Sequence, residues 1–244
     1  MSKSKRKTNK TVVLDIDATL AHTHGDIEDF DMLKIYSKPQ RIKLRRKLYH
    51  MTLYDVSVDD GTGDAIELVG IYRPYNKEFI DFCFDYFNHV IFWSAGKKKY
   101  VEKMVDLMCP LGHKRPTIIY TYDDCDVGKE DYLKKPLRKL YNDPRLKGLG
   151  INETNTLVID DRDDTFSLNK HNGIQIPEFE SDMTSEEIKY HPDNNLLKLM
   201  CWLDQEEVRN CEDVRDLDKR HIFKTSLKEY KTTLKKNRKK SSKT

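Results

Sequence analysis

Short apolar runs alternate with amphipathic segments along most of this chain. Five of these runs are rich in β-branched or aromatic residues, as strands buried on both faces of a sheet are. They lie at residues 11–14, 90–93, 117–122, 156–159 and 173–177. Between them, apolar residues recur at helical spacing over residues 76–88 and 98–108, and the segment from 185 to about 217 has a helical pattern that closes the domain. Strand–helix alternation predicts an α/β fold, a doubly wound parallel sheet with right-handed crossovers.

A second pattern interrupts the alternation after the first strand. Residues 48–58 and 65–72 are strand-like, and a Gly- and Asp-rich stretch separates them. Two such runs around a turn predict a β-hairpin. We therefore expect a small β insertion at about residues 48–73.

Polar groups of the kind used in catalysis follow four of the predicted strands. They are Asp15 and Asp17 after the first run, Ser94 after the second, Lys134 and Lys135 after the third, and Asp160 and Asp161 after the fourth. In an open parallel sheet, ligands bind beyond the carboxyl ends of the strands. The sequence thus predicts one site that contains carboxylates, a hydroxyl and a lysine.

These motifs resemble the haloacid dehalogenase (HAD) superfamily of phosphohydrolases, and within it the FCP/SCP phosphatases of the RNA polymerase II C-terminal domain (CTD). The matching elements are the DxDxTL start at Asp15, Arg73-Pro74, the FWSAG run at 92–96, KPL at 135–137, IDDR at 159–162 and the Leu-rich stretch at 196–200. The resemblance spans roughly residues 10–217. It implies a HAD-like sheet with the β insertion beside the active site. The family usually has Glu where this chain has Ala18, which we interpret as a change in local hydrogen bonding.

Two neighbouring strand ends supply the chemistry expected of such a site. Asp15 is the candidate nucleophile that forms an aspartyl-phosphate, and Asp17 is the candidate proton carrier. Mg²⁺ suits a site of oxygen ligands. The resemblance implies that its ligands are the Asp15 carboxylate, the Asp17 backbone carbonyl and Asp161, with Asp160 close by.

The remaining candidates would bind the phosphate or the rest of the substrate. Thr19, Ser94 and a lysine would hold the phosphate oxygens. Lys135 fits the family pattern best, and Lys134 is the neighbouring alternative. Arg73 either approaches the substrate or has a structural role at the insertion.

Charge is unevenly distributed along the 244 residues. The net charge is +3, but residues 11–223 carry 30 basic and 40 acidic residues, whereas both ends are basic. We predict a basic disordered arm at 1–10, a phosphatase domain at 11–217 and a basic tail at 218–244. The stretch at 235–240 reads equally as a nuclear signal, a nucleic-acid contact or a solubilising tail. Five cysteines without a CxxC pair, no signal segment and no membrane-spanning stretch predict an intracellular protein of the nucleus or cytoplasm.

The sequence therefore favours an Mg²⁺-dependent phosphoserine/phosphothreonine protein phosphatase. By resemblance, its leading substrate is a phosphorylated disordered peptide like the CTD of RNA polymerase II. Two alternatives stay open: a catalytically silent binding protein on the same fold, and a phosphatase for nucleic-acid ends or nucleotides.

Overall fold

The five predicted sheet strands, the hairpin strands and the two predicted helices at 76–88 and 98–108 are present in the predicted order. The computed structural model describes residues 8–24, 46–54, 65–111, 114–128, 132–181, 189–230 and 232. The strands are β1 (Thr11–Leu14), β2 (Ala21–His24), β3 (Leu48–Tyr54), β4 (Ala65–Tyr72), β5 (His89–Trp93), β6 (Ile118–Tyr120), β7 (Asp126–Val127), β8 (Leu133–Lys134), β9 (Thr156–Asp160) and β10 (Gly173–Gln175). The helices are α1 (Asn76–Tyr86), α2 (Lys98–Met108), α3 (Arg138–Tyr141), α4 (Asn195–Leu203) and α5 (Glu206–Asn210).

A parallel sheet of five strands, in the order β10-β9-β1-β5-β6, forms the centre of the domain. Successive side chains of a strand point to opposite faces, so both faces need apolar cover. On β1, Val12 and Leu14 join the larger apolar cluster, whereas Val13 joins the smaller one on the other face. The larger cluster includes residues of α1, α2 and α4, and the smaller one includes Leu140 of α3. The predicted α/β, HAD-like fold is confirmed.

The insertion is a three-stranded antiparallel sheet in the order β2-β4-β3. The predicted hairpin corresponds to β3 and β4, which pair from Leu48↔Ile71 to Tyr54↔Ala65. The hairpin's predicted turn at residues 55–64 lies outside the described residues. Strand β2 adds to it, and because β2 directly follows the first motif, the insertion is anchored beside the residues of that motif.

The predicted helical segment from 185 to about 217 is divided in the structure. Helix α4 is followed by an extended residue at Gln205, then by α5, and the backbone is extended again at Cys211 before a short 3₁₀ turn at Val214–Asp216. Before α4, residues 191–194 are not helical, and residues 182–188 lie outside the described part of the chain. One cause is Pro192, since proline disfavours helical backbone in the residue before it.

The folded domain extends along the chain beyond both of its predicted bounds, residues 11 and 217. Lys10, placed in the predicted arm, is buried, and its Nζ donates to the carbonyl oxygens of Arg209 (2.9 Å) and Cys211 (3.0 Å) at the end of α5. A cation there complements the helix carbonyls. Ile222 and Tyr230, placed in the predicted tail, are core residues. The arms at 1–7 and 233–244 lie outside the described residues. In the described part of the chain, no helix has the length and apolar character needed to cross a membrane.

Candidate active site

Three neighbouring strands end at the same edge of the sheet, each beside a polar side chain. Asp15 and Ser94 directly follow β1 and β5, and Asp160 is the last residue of β9. The parallel register keeps these strand ends level, and the Asp15 N–H continues the ladder to the Ile159 carbonyl at 3.0 Å. The structure therefore brings the three residues together at the carboxyl edge.

Lys135 is buried between two of these carboxylates. Its Nζ lies 2.5 Å from Asp15 Oδ1 and 2.7 Å from Asp160 Oδ2, and all three side chains are at most 8% exposed. Burial opposes the lysine charge, but the two carboxylates outweigh burial and raise the Lys135 pKa. Lys135 is therefore cationic, with two of its three N–H donors on carboxylates and one available for a further oxygen.

Asp15, Asp160 and Asp161 form a cluster suited to a cation. One carboxylate oxygen from each lies within 4.8 Å of the others, and no other trio of potential ligand side chains in the described residues comes as close. Burial is the largest influence on Asp15 and Asp161 and raises the pKa of both. Lys135 balances only one of the three charges. A hard divalent cation with oxygen ligands fits this excess of buried negative charge.

Thr19 supports this cluster from the motif that follows β1. Its hydroxyl donates to Asp161 Oδ1 at 3.1 Å and accepts the Asp161 N–H at 3.0 Å. A hydroxyl has a single proton, so the Thr19 proton is committed to Asp161 in this arrangement. The sequence assigned Thr19 to the phosphate oxygens, and that role stays a prediction; in the structure its hydroxyl contacts Asp161.

Asp17 is held by hydroxyl groups. The Tyr100 hydroxyl donates to Asp17 Oδ1, and Ser94 Oγ donates to Oδ2 at 3.3 Å while accepting the Gly96 N–H at 3.0 Å. Burial is the largest influence on Asp17 and raises its pKa, although the hydrogen bonds from Tyr100 and Ser94 oppose it. A carboxyl group with a raised pKa is suited to proton transfer near neutral pH.

Arg73 joins the first motif to two later segments of the chain. Its guanidinium forms a two-point pair with Asp193, at 3.1 and 2.8 Å, and donates to the backbone carbonyls of Thr19 (3.0 Å), Ala18 (3.5 Å) and Pro177 (2.6 Å). The Arg73 side chain has no exposed surface. Of the two roles that the sequence left open, this geometry favours the structural one.

The two adjacent lysines have different environments. Lys134 is the last residue of β8, pairs in register with Asp126 of β7 and is half-buried. Lys135 directly follows β8 and its Nζ contacts Asp15 and Asp160, whereas the Lys134 side chain lies against Gly128. The geometry thus favours Lys135 as the phosphate ligand.

Ala18 forms a left-handed turn with φ of 54°. Its N–H donates to the Ala21 carbonyl and its own carbonyl accepts the Phe179 N–H, both at 2.8 Å. Backbone hydrogen bonds therefore hold this turn without a polar side chain at position 18.

Sequence reasoning missed four residues of this region: Tyr100, Thr23, Tyr49 and Asp193. Each acts through a contact with a residue far away in the chain, which no local pattern reveals. One signal was available for Tyr100. Helix α2 begins just beyond the end of β5, so its first turn had to lie near the predicted site.

The comparison with protein families decides the assignment. The sequence model of the NIF family, described as NLI interacting factor-like phosphatase, matches residues 10–215. The chain belongs to this family. The NIF match covers the central sheet, the β insertion and every candidate site residue. It confirms the family that the sequence motifs indicated.

Two curated NIF relatives carry the name ubiquitin-like domain-containing CTD phosphatase 1. The Xenopus tropicalis protein is 26% identical over 158 residues, which are 61% of this chain and 46% of that protein. The Gallus gallus protein is 24% identical over 230 residues, 87% of this chain and 68% of that protein. The chain thus spans less than half the length of the frog relative.

Two solved structures share the fold. The structure of Fcp1, an essential RNA polymerase II CTD phosphatase, has a TM-score of 0.54 and 16% identity and covers 98% of this chain and 66% of its own. A variant of fission yeast Fcp1 bound to beryllium fluoride has a TM-score of 0.53, 18% identity and the same coverage. At these identities the likeness supports the NIF fold alone.

Proposed function

We propose that this protein is a phosphoric monoester hydrolase that removes phosphate from phosphoserine or phosphothreonine through a phosphorylated Asp15. One observation carries the proposal. Asp15 lies buried at the sheet edge with the Lys135 ammonium 2.5 Å away and with Asp160 and Asp161 beside it. A nucleophile, a cation for the phosphate and a cluster of cation ligands are thus assembled in one place.

The residues have distinct roles in the proposed reaction. An Asp15 oxygen attacks phosphorus and the bond to the leaving oxygen breaks, while Asp17 gives its proton to that oxygen. Asp17 then takes a proton from the water that attacks the phosphoryl group, which releases phosphate and restores Asp15. Lys135 and Ser94 hold the phosphate oxygens through both steps.

The acidic cluster supports Mg²⁺ as the cofactor. Asp15, Asp161 and the Asp17 backbone carbonyl are the proposed ligands, with Asp160 close by. When bound, Mg²⁺ supplies the positive charge that lets an anionic nucleophile approach an anionic phosphate. Lys135 keeps Asp15 and Asp160 in place next to this position.

The surface beside the site supports a peptide substrate. Lys97 lies three residues after Ser94, and Tyr122 lies two residues after the end of β6. The Lys97 Nζ is 4.6 Å from the centre of the Tyr122 ring. Tyr122 is 36% exposed, and Tyr132 beyond it is 51% exposed. Exposed aromatic rings and a cation suit an extended anionic peptide. The names of the curated relatives make a CTD-like phosphopeptide the leading candidate.

The alternatives have less support. A silent binding protein has no need for the buried pair of Asp15 and Lys135, which leaves costly charges in the interior. No contact in the described residues favours a phosphatase for nucleic-acid ends or nucleotides, and the basic stretch at 235–240 proposed for nucleic-acid contact lies outside those residues.

Two variants and a chelator test the proposal. We expect Asp15→Asn to lose at least a thousandfold in kcat on phosphoserine peptides, because an amide is not a nucleophile toward phosphorus. The matched control is Asp81→Asn, an exposed carboxylate on α1 paired with Lys77, which should keep wild-type kcat. EDTA should abolish turnover and added Mg²⁺ restore it. Wild-type rates in Asp15→Asn, or full activity in EDTA, would contradict the proposal.

A further inference from the structure

Three hydroxyl groups form a continuous chain that ends on Asp17. Tyr49 of β3 and Thr23 of β2 are joined at 2.7 Å between Oη and Oγ1, and Thr23 Oγ1 is 2.5 Å from the Tyr100 hydroxyl of α2. The Tyr100 hydroxyl in turn contacts Asp17 Oδ1. The chain therefore connects the insertion sheet to the proposed proton carrier.

The number of protons on each group fixes the direction of the hydrogen bonds along this chain of hydroxyl groups. Each hydroxyl has one proton, and an ionised carboxylate only accepts. The Tyr100 proton therefore points to Asp17, the Thr23 proton to Tyr100 and the Tyr49 proton to Thr23. Hydrogen bonds aligned in one direction strengthen one another.

The two oxygens of Asp17 have different surroundings. Oδ1 receives the Tyr100 proton and lies 3.4 Å from Thr23 Oγ1, whose proton is directed to Tyr100, whereas Oδ2 has only the 3.3 Å contact from Ser94. A second proton on Oδ1 would compete with the Tyr100 donor. Oδ2 is the oxygen left to carry a transferable proton.

We propose that Tyr100 is a positioning residue that fixes Asp17, with its Oδ2 as the oxygen that gives a proton to the leaving group. This inference rests on the proposed phosphatase reaction, in which the O–P bond to the leaving group breaks as that oxygen receives the Oδ2 proton. Tyr100 keeps its own proton throughout. Thr23 and Tyr49 orient Tyr100 from the insertion sheet.

The insertion sheet is shaped to hold the far end of the chain. Gly70 of β4 is paired with Tyr49, and a Cβ at Gly70 would lie 2.2 Å from the Tyr49 ring. Only glycine leaves room for the ring at this position. The sheet thereby fixes the Tyr49 hydroxyl against Thr23.

The test uses the dependence of rate on the leaving group. An aryl phosphate with an acidic phenol needs little protonation as it leaves, whereas a phosphoserine peptide leaves as an alkoxide and needs the acid. For Tyr100→Phe, we expect the ratio of kcat/KM on the peptide to kcat/KM on the aryl phosphate to fall by about tenfold, a fraction of the roughly 10²–10⁴-fold that general acid catalysis contributes. Tyr49→Phe should lower the ratio in the same direction by less.

A control variant separates positioning from packing. Tyr86→Phe removes another buried hydroxyl, one that donates to the Leu203 carbonyl away from the site, and should keep the wild-type ratio. A wild-type ratio in both Tyr100→Phe and Tyr49→Phe would overturn the inference while the phosphatase proposal stands. A wild-type protein that hydrolyses neither substrate would overturn the proposed function and the inference with it.

Discussion

Replacing Arg73 by methionine tests whether this buried arginine is structural. The variant removes the cation from Asp193, whose side chain is only 7% exposed, and leaves that carboxylate without its partner. Breaking a buried ion pair from one side typically costs about 3–5 kcal/mol. It also frees the carbonyls of Thr19 and Pro177, so the upper end of that range applies.

The expected loss of unfolding free energy in Arg73→Met is large relative to the total stability of an ordinary domain, which is about 5–15 kcal/mol. For a chain of this length it corresponds to a fall in Tm of about 6–20 °C. Urea unfolding followed by circular dichroism measures it directly. Arg220→Met is the matched control, because Arg220 and its partner Asp218 are 81% and 51% exposed. Exposed pairs contribute about 0–1 kcal/mol.

A double variant sharpens the test. Arg73→Met combined with Asp193→Leu removes both charges, so it should recover part of the stability lost in Arg73→Met alone. If Arg73 instead binds substrate, Arg73→Met would raise KM several-fold with Tm within about 2 °C of wild type, roughly the effect of an exposed pair. That result would refute the structural role.

Three further predictions follow from the same contacts. Burial favours a raised Asp193 pKa, but Arg73 outweighs it and holds the pKa below its usual value. The pair therefore stabilises the fold fully above the unfolded pKa of about 3.9, and this stabilisation is lost as pH falls through the folded pKa. The difference in unfolding free energy between wild type and Asp193→Asn should be full at neutral pH and narrow in acid, and a pH-independent difference would contradict this. Lys135→Met should lower kcat by at least a hundredfold and destabilise the metal-free protein by about 3–5 kcal/mol. Urea unfolding in Mg²⁺ should show that part of the lost stability is recovered. Equal stability of the variant with and without Mg²⁺ would count against the cation site. A chain without 1–7 and 233–244 should keep kcat on an aryl phosphate, because every candidate site residue and the buried Tyr230 lie between these ends; a collapse of kcat in a folded protein would place an arm in the site.

The sheet edge could be predicted from sequence because its signals are local. Residues 11–14 and 156–159 are short apolar runs that end in carboxylates, and parallel strands bring their ends together. Which of Lys134 and Lys135 enters the site could not be predicted, because only the contacts of Lys135 with Asp15 and Asp160 distinguish them. The helical spacing at 98–108 likewise gave the bounds of α2 correctly.

The supporting contacts could not be predicted because they join distant parts of the chain. Arg73 and Asp193 are 120 residues apart, and Tyr100 and Asp17 are 83 apart. Lys10 reaches carbonyls about 200 residues away, which is why a basic residue near the N-terminus was assigned to an arm. Such pairs depend on tertiary packing, and neither composition nor periodicity encodes them.

The identity of the nucleophile is the central claim, and a trapped phosphoenzyme tests it most directly. In Asp17→Asn, an aryl phosphate with a good leaving group should still phosphorylate Asp15, but the water that completes the reaction lacks its base. After incubation with Mg²⁺ and acid quench, mass spectrometry of the proteolytic peptides should find one phosphoryl group on the peptide that contains Asp15. A phosphoryl group on another residue, or sustained wild-type hydrolysis with no phosphorylated peptide in Asp17→Asn, would contradict the account.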